Sequence, residues 1–99
     1  MDIVSVSDKR VKKLVEDPSL TSVKGLDALE VRKISDMIAA ILVMTHPLQL
    51  KSVPSWKAHE LVPGHPDKWS LTVTRNYRLT FYVDHEAQEV SLLDYEDYH

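Results

Sequence analysis

The 99-residue chain contains no cysteine, which excludes disulfide bonds, zinc–thiolate centres and catalysis by a thiol. It also lacks a long apolar run. The longest spans eight residues, Met37 to Met44, whereas a helix that crosses a bilayer needs about 20. The first ten residues, MDIVSVSDKR, are charged and contain no apolar segment of signal-peptide length. We therefore expect a cytoplasmic protein of one domain, residues 1–99, with no membrane partner.

An overall excess of positive charge is also missing, since the net charge is −3. Residues 1–50 carry seven cations and seven anions, and residues 51–83 carry five cations against two acids. Residues 84–99 carry six acids and no lysine or arginine. Proteins that bind nucleic acid mainly through its phosphates are usually basic overall, so this balance counts against general nucleic-acid binding.

The stretch Trp69–Phe81, WSLTVTRNYRLTF, alternates apolar and polar residues, which predicts a hairpin of two half-buried strands. An odd loop at residues 75–77, or a bulge, places Leu71 opposite Phe81 on the apolar face. The polar face is then predicted to expose Arg78 in the middle of a strand. Three threonines accompany it on that face: Thr72, Thr74 and Thr80.

The rest of the chain predicts an α+β fold, in which two helices pack on one face of a mainly antiparallel sheet of four or five strands. The clearest element is the second helix, whose apolar residues repeat at helical spacing: Val31, Ile34, Met37, Ile38, Ile41 and Leu42. The other predicted elements are a strand at Asp2–Ser7, a helix from the N-cap Ser7 to about Asp17, a strand at Trp56–Val62, a loop at Pro63–Asp67 and a strand from about Gln88 to Leu93, with the second helix running from about Asp27 to Thr45.

Three separated motifs carry a family resemblance: His-Glu-Leu ten positions before Trp69, then WSLTV and NYRLTF, and the terminal DYEDYH. Together they resemble the HigB branch of the RelE/ParE toxin superfamily, closely over residues 56–99 and by helix order before that. The resemblance implies a RelE-like fold and a ribosome-dependent endoribonuclease that cuts mRNA in the A site. It also implies no metal and no cofactor, and neutralisation by HigA, a helix-turn-helix antitoxin.

The resemblance also assigns functional residues. The family's histidine falls on His59, its phosphate-contacting arginine on Arg78, and its C-terminal acid, tyrosine and histidine on Asp97, Tyr98 and His99. The sequence departs from the family at Val62, because family members commonly carry a lysine there.

These residue types fit RNA cleavage in which the 2′-hydroxyl attacks the neighbouring phosphorus. That reaction needs a base, an acid and a cation near the phosphoryl oxygens, and histidine and arginine suit these roles. Lys57 or Lys68 could replace the cation that is lost at Val62, and Lys57 is predicted to share a strand face with His59. Two further residues are predicted to contact RNA, Arg75 by its charge and Tyr82 by stacking on a base.

Several of these residues have simpler interpretations. His59 could be a partly buried histidine bonded within the sheet, and Arg78 could pair with an acid of the tail. The segment Asp94–His99 could be an edge strand with solvated acids. The acids with His85 or His99 repeat no known ligand spacing, so no metal site is predicted.

Two other functions stay open at this point. ParE-type relatives of the same fold inhibit DNA gyrase and carry no nuclease residues, which the histidines and arginine of this chain argue against. An inactive remnant that still binds its antitoxin is the second alternative, and Val62 and the sequence pI of about 5.9 favour it.

Overall fold

A computed structural model describes residues 1–62 and 65–98. The five strands form one sheet in the order β1-β5-β4-β3-β2, with β1 parallel to β5 and the other neighbours antiparallel. This confirms the predicted α+β fold. The elements are β1 (Asp2–Ile3), α1 (Lys9–Glu16), α2 (Ala28–Val43), two 3₁₀ helices (Pro47–Ser52 and Pro54–Trp56), β2 (His59–Val62), β3 (His65–Thr72), β4 (Tyr77–Asp84) and β5 (Glu89–Asp97).

Both α-helices begin at an aspartate whose carboxylate accepts hydrogen bonds from free backbone N–H groups. Asp8 accepts from the N–H groups of Arg10 and Val11, at 2.8 and 3.1 Å. Asp27 and Glu30 form a reciprocal capping box at the start of α2. The predicted N-cap of α1, Ser7, is therefore wrong by one residue, because the longer acceptor side chain of the next residue takes that role.

The core lies between the helices and one face of the sheet. From α2, Ile34, Ile38 and Ile41 are buried as the helical spacing predicts. Leu42 was also predicted to lie on the apolar stripe, but it is 46% exposed. It follows Ile41 directly, and one residue turns the helix by about 100°, away from the sheet. The sheet contributes mainly Trp69, Leu71, Val73, Leu79, Phe81, Val83, Val90, Leu93 and Tyr95.

The hairpin of β3 and β4 has the predicted faces but a different register. Leu71 and Phe81 are both buried on the helix side, as predicted. Leu71 pairs with Leu79 rather than with Phe81, which pairs with Trp69. The Val73 N–H donates to the Tyr77 carbonyl at 3.1 Å, so the loop is residues 74–76 rather than 75–77. A shift of two residues leaves every side chain on its original face, which is why the faces were predicted correctly.

The start of β2 differs from the prediction. Trp56 belongs to the 3₁₀ helix that Pro54 begins, and Lys57 has a left-handed backbone with φ 48°. These two features delay the strand until His59. Proline fixes φ near −65° at the start of the turn, which suits a 3₁₀ helix and not an extended strand.

Other strand ends also differ. β1 ends at Ile3, although an isolated parallel bridge joins Val6 to Leu93. β3 begins at His65, within the predicted loop, of which residues 63 and 64 lie outside the described residues. β5 continues to Asp97, four residues past its predicted end, because β4 pairs with it as far as Tyr77.

Within the described part of the chain, no helix has both the length and the apolar character that crossing a membrane requires.

We expect Ile34→Ala to lower the free energy of unfolding by about 2–5 kcal/mol, because it opens a cavity where α2 meets the sheet. The matched control is Val43→Ala on the same helix, since Val43 is 80% exposed. That change should cost no more than about 0.5 kcal/mol. Urea unfolding followed by circular dichroism measures both, and equal losses would contradict the described packing.

Candidate active site

The sheet face turned away from the helices carries polar residues in rows that cross the strands. In one row, His59 lies opposite Ser70, Ser70 opposite Thr80, and Thr80 opposite Asp94. Directly opposed residues place their side chains on the same face, so this row runs from β2 to β5. The neighbouring row contains Thr72, Arg78 and Glu96.

A groove with a volume of about 320 Å³ lies on this face. Its floor is formed by hydroxyl groups of buried residues, since Ser70 is 0% and Thr80 4% exposed. The prediction that Thr80 faces water is therefore wrong, because neighbouring side chains on β5 cover it. The groove carries two cations and two carboxylates among its lining residues, which are Leu61, Lys68, Ser70, Arg78, Thr80, Glu96, Asp97 and Tyr98.

Arg78 is held at the hairpin end of the groove by its own loop. Its Nη1 group donates to the carbonyl oxygens of Thr74, Arg75 and Tyr77, at 2.8, 3.2 and 3.2 Å. Its guanidinium carbon lies 5.1 Å from the centroid of the Tyr98 ring, within cation–π distance. A planar guanidinium fixed in this way keeps one edge available for a bidentate contact.

The end of the chain reaches the groove as a continuation of β5. Asp97 lies opposite Tyr77, and the Tyr98 N–H donates to the Asn76 carbonyl at 2.6 Å. The structure therefore brings three predicted site residues together, Arg78, Asp97 and Tyr98. The fourth residue predicted from this region, His99, lies outside the described residues.

His59 shares the polar face but lies on the outer strand β2, where it is exposed and does not line the groove. Its Nδ1–H donates to the Lys57 carbonyl at 2.8 Å, which leaves Nε2 as the acceptor of the neutral ring. Lys57 precedes the strand and has a left-handed backbone. The prediction that Lys57 and His59 share a strand face is therefore wrong.

The three other residues that were predicted to contact RNA, Lys68, Tyr82 and Arg75, differ in their position relative to the groove. Lys68 lines it, and its Nζ lies 5.3 Å from the centroid of the Tyr82 ring. Tyr82 is 38% exposed in the row next to the groove. Arg75 is exposed in the hairpin loop.

Glu96 lines the groove but was not among the predicted site residues. The Thr80 hydroxyl donates a short hydrogen bond to its carboxylate. The alternation of DYEDY contains the necessary signal, because a core position at Tyr95 turns Glu96 to the opposite face. The acidic tail was instead interpreted through the family's C-terminal acid, tyrosine and histidine, which begin one residue later at Asp97.

A polar cluster behind the sheet anchors the strand that carries these residues. The Tyr95 hydroxyl donates a short hydrogen bond to the Glu30 carboxylate on α2, and its ring stacks on Tyr77 with 5.1 Å between centroids. The Arg10 guanidinium lies 5.3 Å from the Tyr95 ring centroid and pairs with Asp8 at 2.8 Å. This cluster joins both helix N-termini to β5.

Two pKa values reflect this cluster. Burial, together with the hydrogen bond to Glu30, raises the pKa of Tyr95 above its ordinary value of 10.0. Burial alone would raise the pKa of Asp8, but hydrogen bonds from Arg10 and Val11 outweigh burial and hold that pKa below its ordinary value. Both shifts favour the charge states that the contacts require.

In the described part of the chain, no three histidine, aspartate or glutamate side chains lie close enough to hold a metal ion.

The fold is that of YoeB/ParE-type toxins. Over its whole length the chain matches a YoeB/ParE toxin from Agrobacterium tumefaciens, covering 100% of that chain, with a TM-score of 0.57 and 17% identity. It also matches the YoeB–YefM complex from Staphylococcus aureus, with a TM-score of 0.56, 16% identity, and coverage of 100% of this chain and 97% of that one. Identities this low establish the fold alone.

Sequence similarity identifies the branch. The chain is 35% identical over 88 residues to Endoribonuclease HigB from Proteus vulgaris, a match that covers 88% of this chain and 89% of that protein. The chain therefore belongs to the HigB family, which confirms the resemblance to HigB drawn from the motifs. No protein-family model matches it.

We expect Tyr95→Phe to lower the free energy of unfolding at neutral pH by about 1–3 kcal/mol, since it removes a hydrogen bond to a carboxylate. Folding raises the pKa of Tyr95, so its contribution is complete below pH 10.0 and is lost as the pH rises above that value. The difference between the two proteins should therefore narrow above pH 10.0. Urea unfolding at neutral pH and above pH 10.0 measures this difference in the free energy of unfolding. Tyr82→Phe, at an exposed tyrosine, is the control and should change the free energy of unfolding little.

Proposed function

We propose that this protein is the toxin of a type II toxin–antitoxin system that cleaves mRNA in the A site of the ribosome. The observation that carries the proposal is the groove in which Arg78 faces Tyr98 beside two carboxylates. Its support from comparison is the relative named Endoribonuclease HigB, at 35% identity. A gyrase inhibitor has no use for such a groove, and no feature of the described residues favours that alternative.

The proposed reaction needs no metal ion. The 2′-hydroxyl of the substrate attacks the adjacent phosphorus, the bond to the 5′-oxygen breaks, and a 2′,3′-cyclic phosphate and a 5′-hydroxyl result. Arg78 stabilises the charge that develops on the phosphoryl oxygens, because its fork matches two of them and it stays protonated. Acid–base catalysis comes from the proposed set of His59, Asp97, Tyr98 and His99.

Lys68 supplies the second cation of the proposed site. The family's lysine position holds Val62 here, and Lys68 on the neighbouring strand lines the groove. Lys57 is the weaker substitute, because it lies before β2 and outside the groove. This compensation is the argument against an inactive remnant.

The charges of the groove indicate why the ribosome is needed. Lys68 and Arg78 are balanced by Glu96 and Asp97, so the groove attracts a bare RNA strand weakly. We propose that the ribosome holds the mRNA and that the groove acts on one phosphate of it. Tyr82 and Arg75, beside the groove, are proposed to contact flanking nucleotides.

We also propose an antitoxin partner of the HigA-like, helix-turn-helix type. The support is the solved YoeB–YefM complex of the same fold, together with the family. Co-expression with the product of a neighbouring helix-turn-helix gene should yield a complex on size-exclusion chromatography and should relieve growth arrest. Failure to co-purify would count against this partner.

Arg78→Ala should lower the rate of cleavage of ribosome-bound mRNA by about 100- to 1000-fold, the usual effect of removing one transition-state charge contact. Single-turnover cleavage of an end-labelled mRNA measures the rate. Arg78→Lys should recover part of it, because it keeps the charge and loses the fork. The matched control is Arg32→Ala on the exposed surface of α2, which should cleave as the unmodified protein does.

A measurement of plasmid supercoiling in the same cells distinguishes an mRNA nuclease from a gyrase inhibitor. Induction should stop growth and leave supercoiling unchanged. Altered supercoiling with intact mRNA would contradict the nuclease proposal.

Removing Tyr98 and His99 should abolish growth arrest, because it deletes the aromatic face that holds Arg78 and two members of the proposed acid–base set. Circular dichroism should show a folded protein, since Tyr98 is 51% exposed and lies beyond β5. Cleavage at the unmodified rate by the shortened protein would exclude both residues from the mechanism.

A further inference from the structure

We propose that Glu96 accepts the proton of the attacking 2′-hydroxyl, with Thr80 as the residue that positions its carboxylate. The inference rests on the proposed ribonuclease function and deepens it. It assigns a role to a carboxylate that lies one residue before the family's C-terminal acid, Asp97, and to which the resemblance gives no role.

The first observation is the position of Glu96 in the groove. It lies opposite Arg78 on the neighbouring strand, so the two side chains share a face. The Thr80 hydroxyl, from a residue only 4% exposed, donates to one carboxylate oxygen of Glu96. A hydroxyl donor on one oxygen orients the carboxylate and leaves the other oxygen able to accept a proton.

The second observation is an unsatisfied hydroxyl beside this pair. Ser70 is 0% exposed and lines the groove, and its Oγ has no hydrogen-bond partner within the described part of the chain. Buried polar atoms in native proteins nearly always have a partner, and an exception calls for an explanation. A bound phosphoryl oxygen would accept from this hydroxyl.

The groove therefore presents groups that match a ribonucleotide phosphodiester. Lys68 from β3 and Arg78 from β4 supply cations, Ser70 supplies a donor, and Glu96 supplies an acceptor. A phosphate needs donors and cations, whereas the neighbouring 2′-hydroxyl is a donor that needs an acceptor. A DNA strand has no such hydroxyl, so the carboxylate would only repel it.

The Glu96 carboxylate would weaken the binding of a phosphate in the groove if binding were its only role. It lines the groove together with Lys68 and Arg78, and Asp97 and Tyr98 follow it in the chain. Its negative charge cancels part of the attraction that those cations exert on a phosphate. A role in proton transfer gives the carboxylate a use that offsets this cost.

The proposed step moves one proton from the 2′-hydroxyl and one proton to the 5′-oxygen. The Glu96 carboxylate takes the proton of the 2′-hydroxyl, and the 2′-oxygen forms a bond to phosphorus. The bond from phosphorus to the 5′-oxygen breaks, and that oxygen leaves with a proton from His59, which lies opposite Ser70 on the neighbouring strand. The products are a 2′,3′-cyclic phosphate, a 5′-hydroxyl, a protonated Glu96 and a deprotonated histidine.

The experiment compares Glu96→Gln with Asp94→Asn. Both replace a carboxylate by an amide on the same strand and face, but Asp94 does not line the groove. Ribosomes programmed with an end-labelled mRNA are the substrate, and single-turnover rates are measured. Glu96→Gln should lose about 100-fold or more in rate. Asp94→Asn should retain the rate.

A binding measurement distinguishes a loss of proton transfer in Glu96→Gln from damage to the structure of the groove. The probe is the same mRNA on the ribosome with one 2′-deoxy nucleotide at the cleavage site. Glu96→Gln should bind it at least as tightly as the unmodified protein, because it removes a negative charge. Binding weakened tenfold or more would overturn the proposal.

Thr80 gives an independent test of positioning. Thr80→Val removes the hydroxyl and should lower the rate by about 10-fold or more with unchanged binding, whereas Thr80→Ser should keep it. Equal rates for all three proteins, or an unmodified rate for Glu96→Gln, would overturn the proposal while the nuclease function stands. An unmodified protein that leaves ribosomal mRNA intact would overturn both.

Discussion

The pairing of β5 with β4 is the constraint on which the candidate site depends. It places Glu96 opposite Arg78, Asp97 opposite Tyr77, and Tyr98 beside the hairpin loop. Residues almost twenty positions apart in the sequence thereby meet in one groove. A slip of one residue would turn Glu96 and Tyr98 to the other face of the sheet, so the site and the register are specified together.

The register is fixed from the opposite face of the same strand. Tyr95 is buried there, bonded to Glu30 of α2, stacked on Tyr77 and covered by Arg10 of α1. Because Tyr95 and Glu96 are consecutive, anchoring the first in the core holds the second in the groove. The helices, which lie on the far side of the sheet, thus influence the geometry of the groove through one strand.

Sequence reasoning succeeded where one physical signal dominates. Alternation in WSLTVTRNYRLTF predicted both faces of the hairpin, and the three- and four-residue spacing predicted the buried side of α2. Register and strand ends depend on pairing between distant segments, which alternation does not specify. The hairpin was therefore misaligned by two residues, and the start of β2 was misplaced, because a proline-initiated 3₁₀ turn carries the same alternating apolar pattern as a strand.

The residues of the candidate site were also predicted only in part. The motif located Arg78, Asp97 and Tyr98, because their residue types and order are specific. Glu96, Ser70 and the burial of Thr80 were missed, since a serine or an acid in a strand carries no functional signal until the neighbouring strand is known. Lys57 and Lys68 were equal candidates for the missing cation. A left-handed backbone at Lys57 places it before β2, whereas Lys68 lines the groove, and sequence alone gave no indication of that backbone.

The balance of charge in the groove affects the binding of substrate and the rate of the chemical step differently. Lys68 and Arg78 face two carboxylates, so the groove contributes little net attraction for a polyanion. Interactions that hold substrate and transition state equally tightly do not raise the rate of the chemical step. Under the proposed function the ribosome already holds the substrate, so the groove has little need of such interactions. The groove is free to carry a carboxylate that weakens ground-state binding, provided that the carboxylate takes up a proton as the new bond forms. On this argument the acidic tail, which counts against general nucleic-acid binding, is compatible with cleavage of RNA that another particle presents.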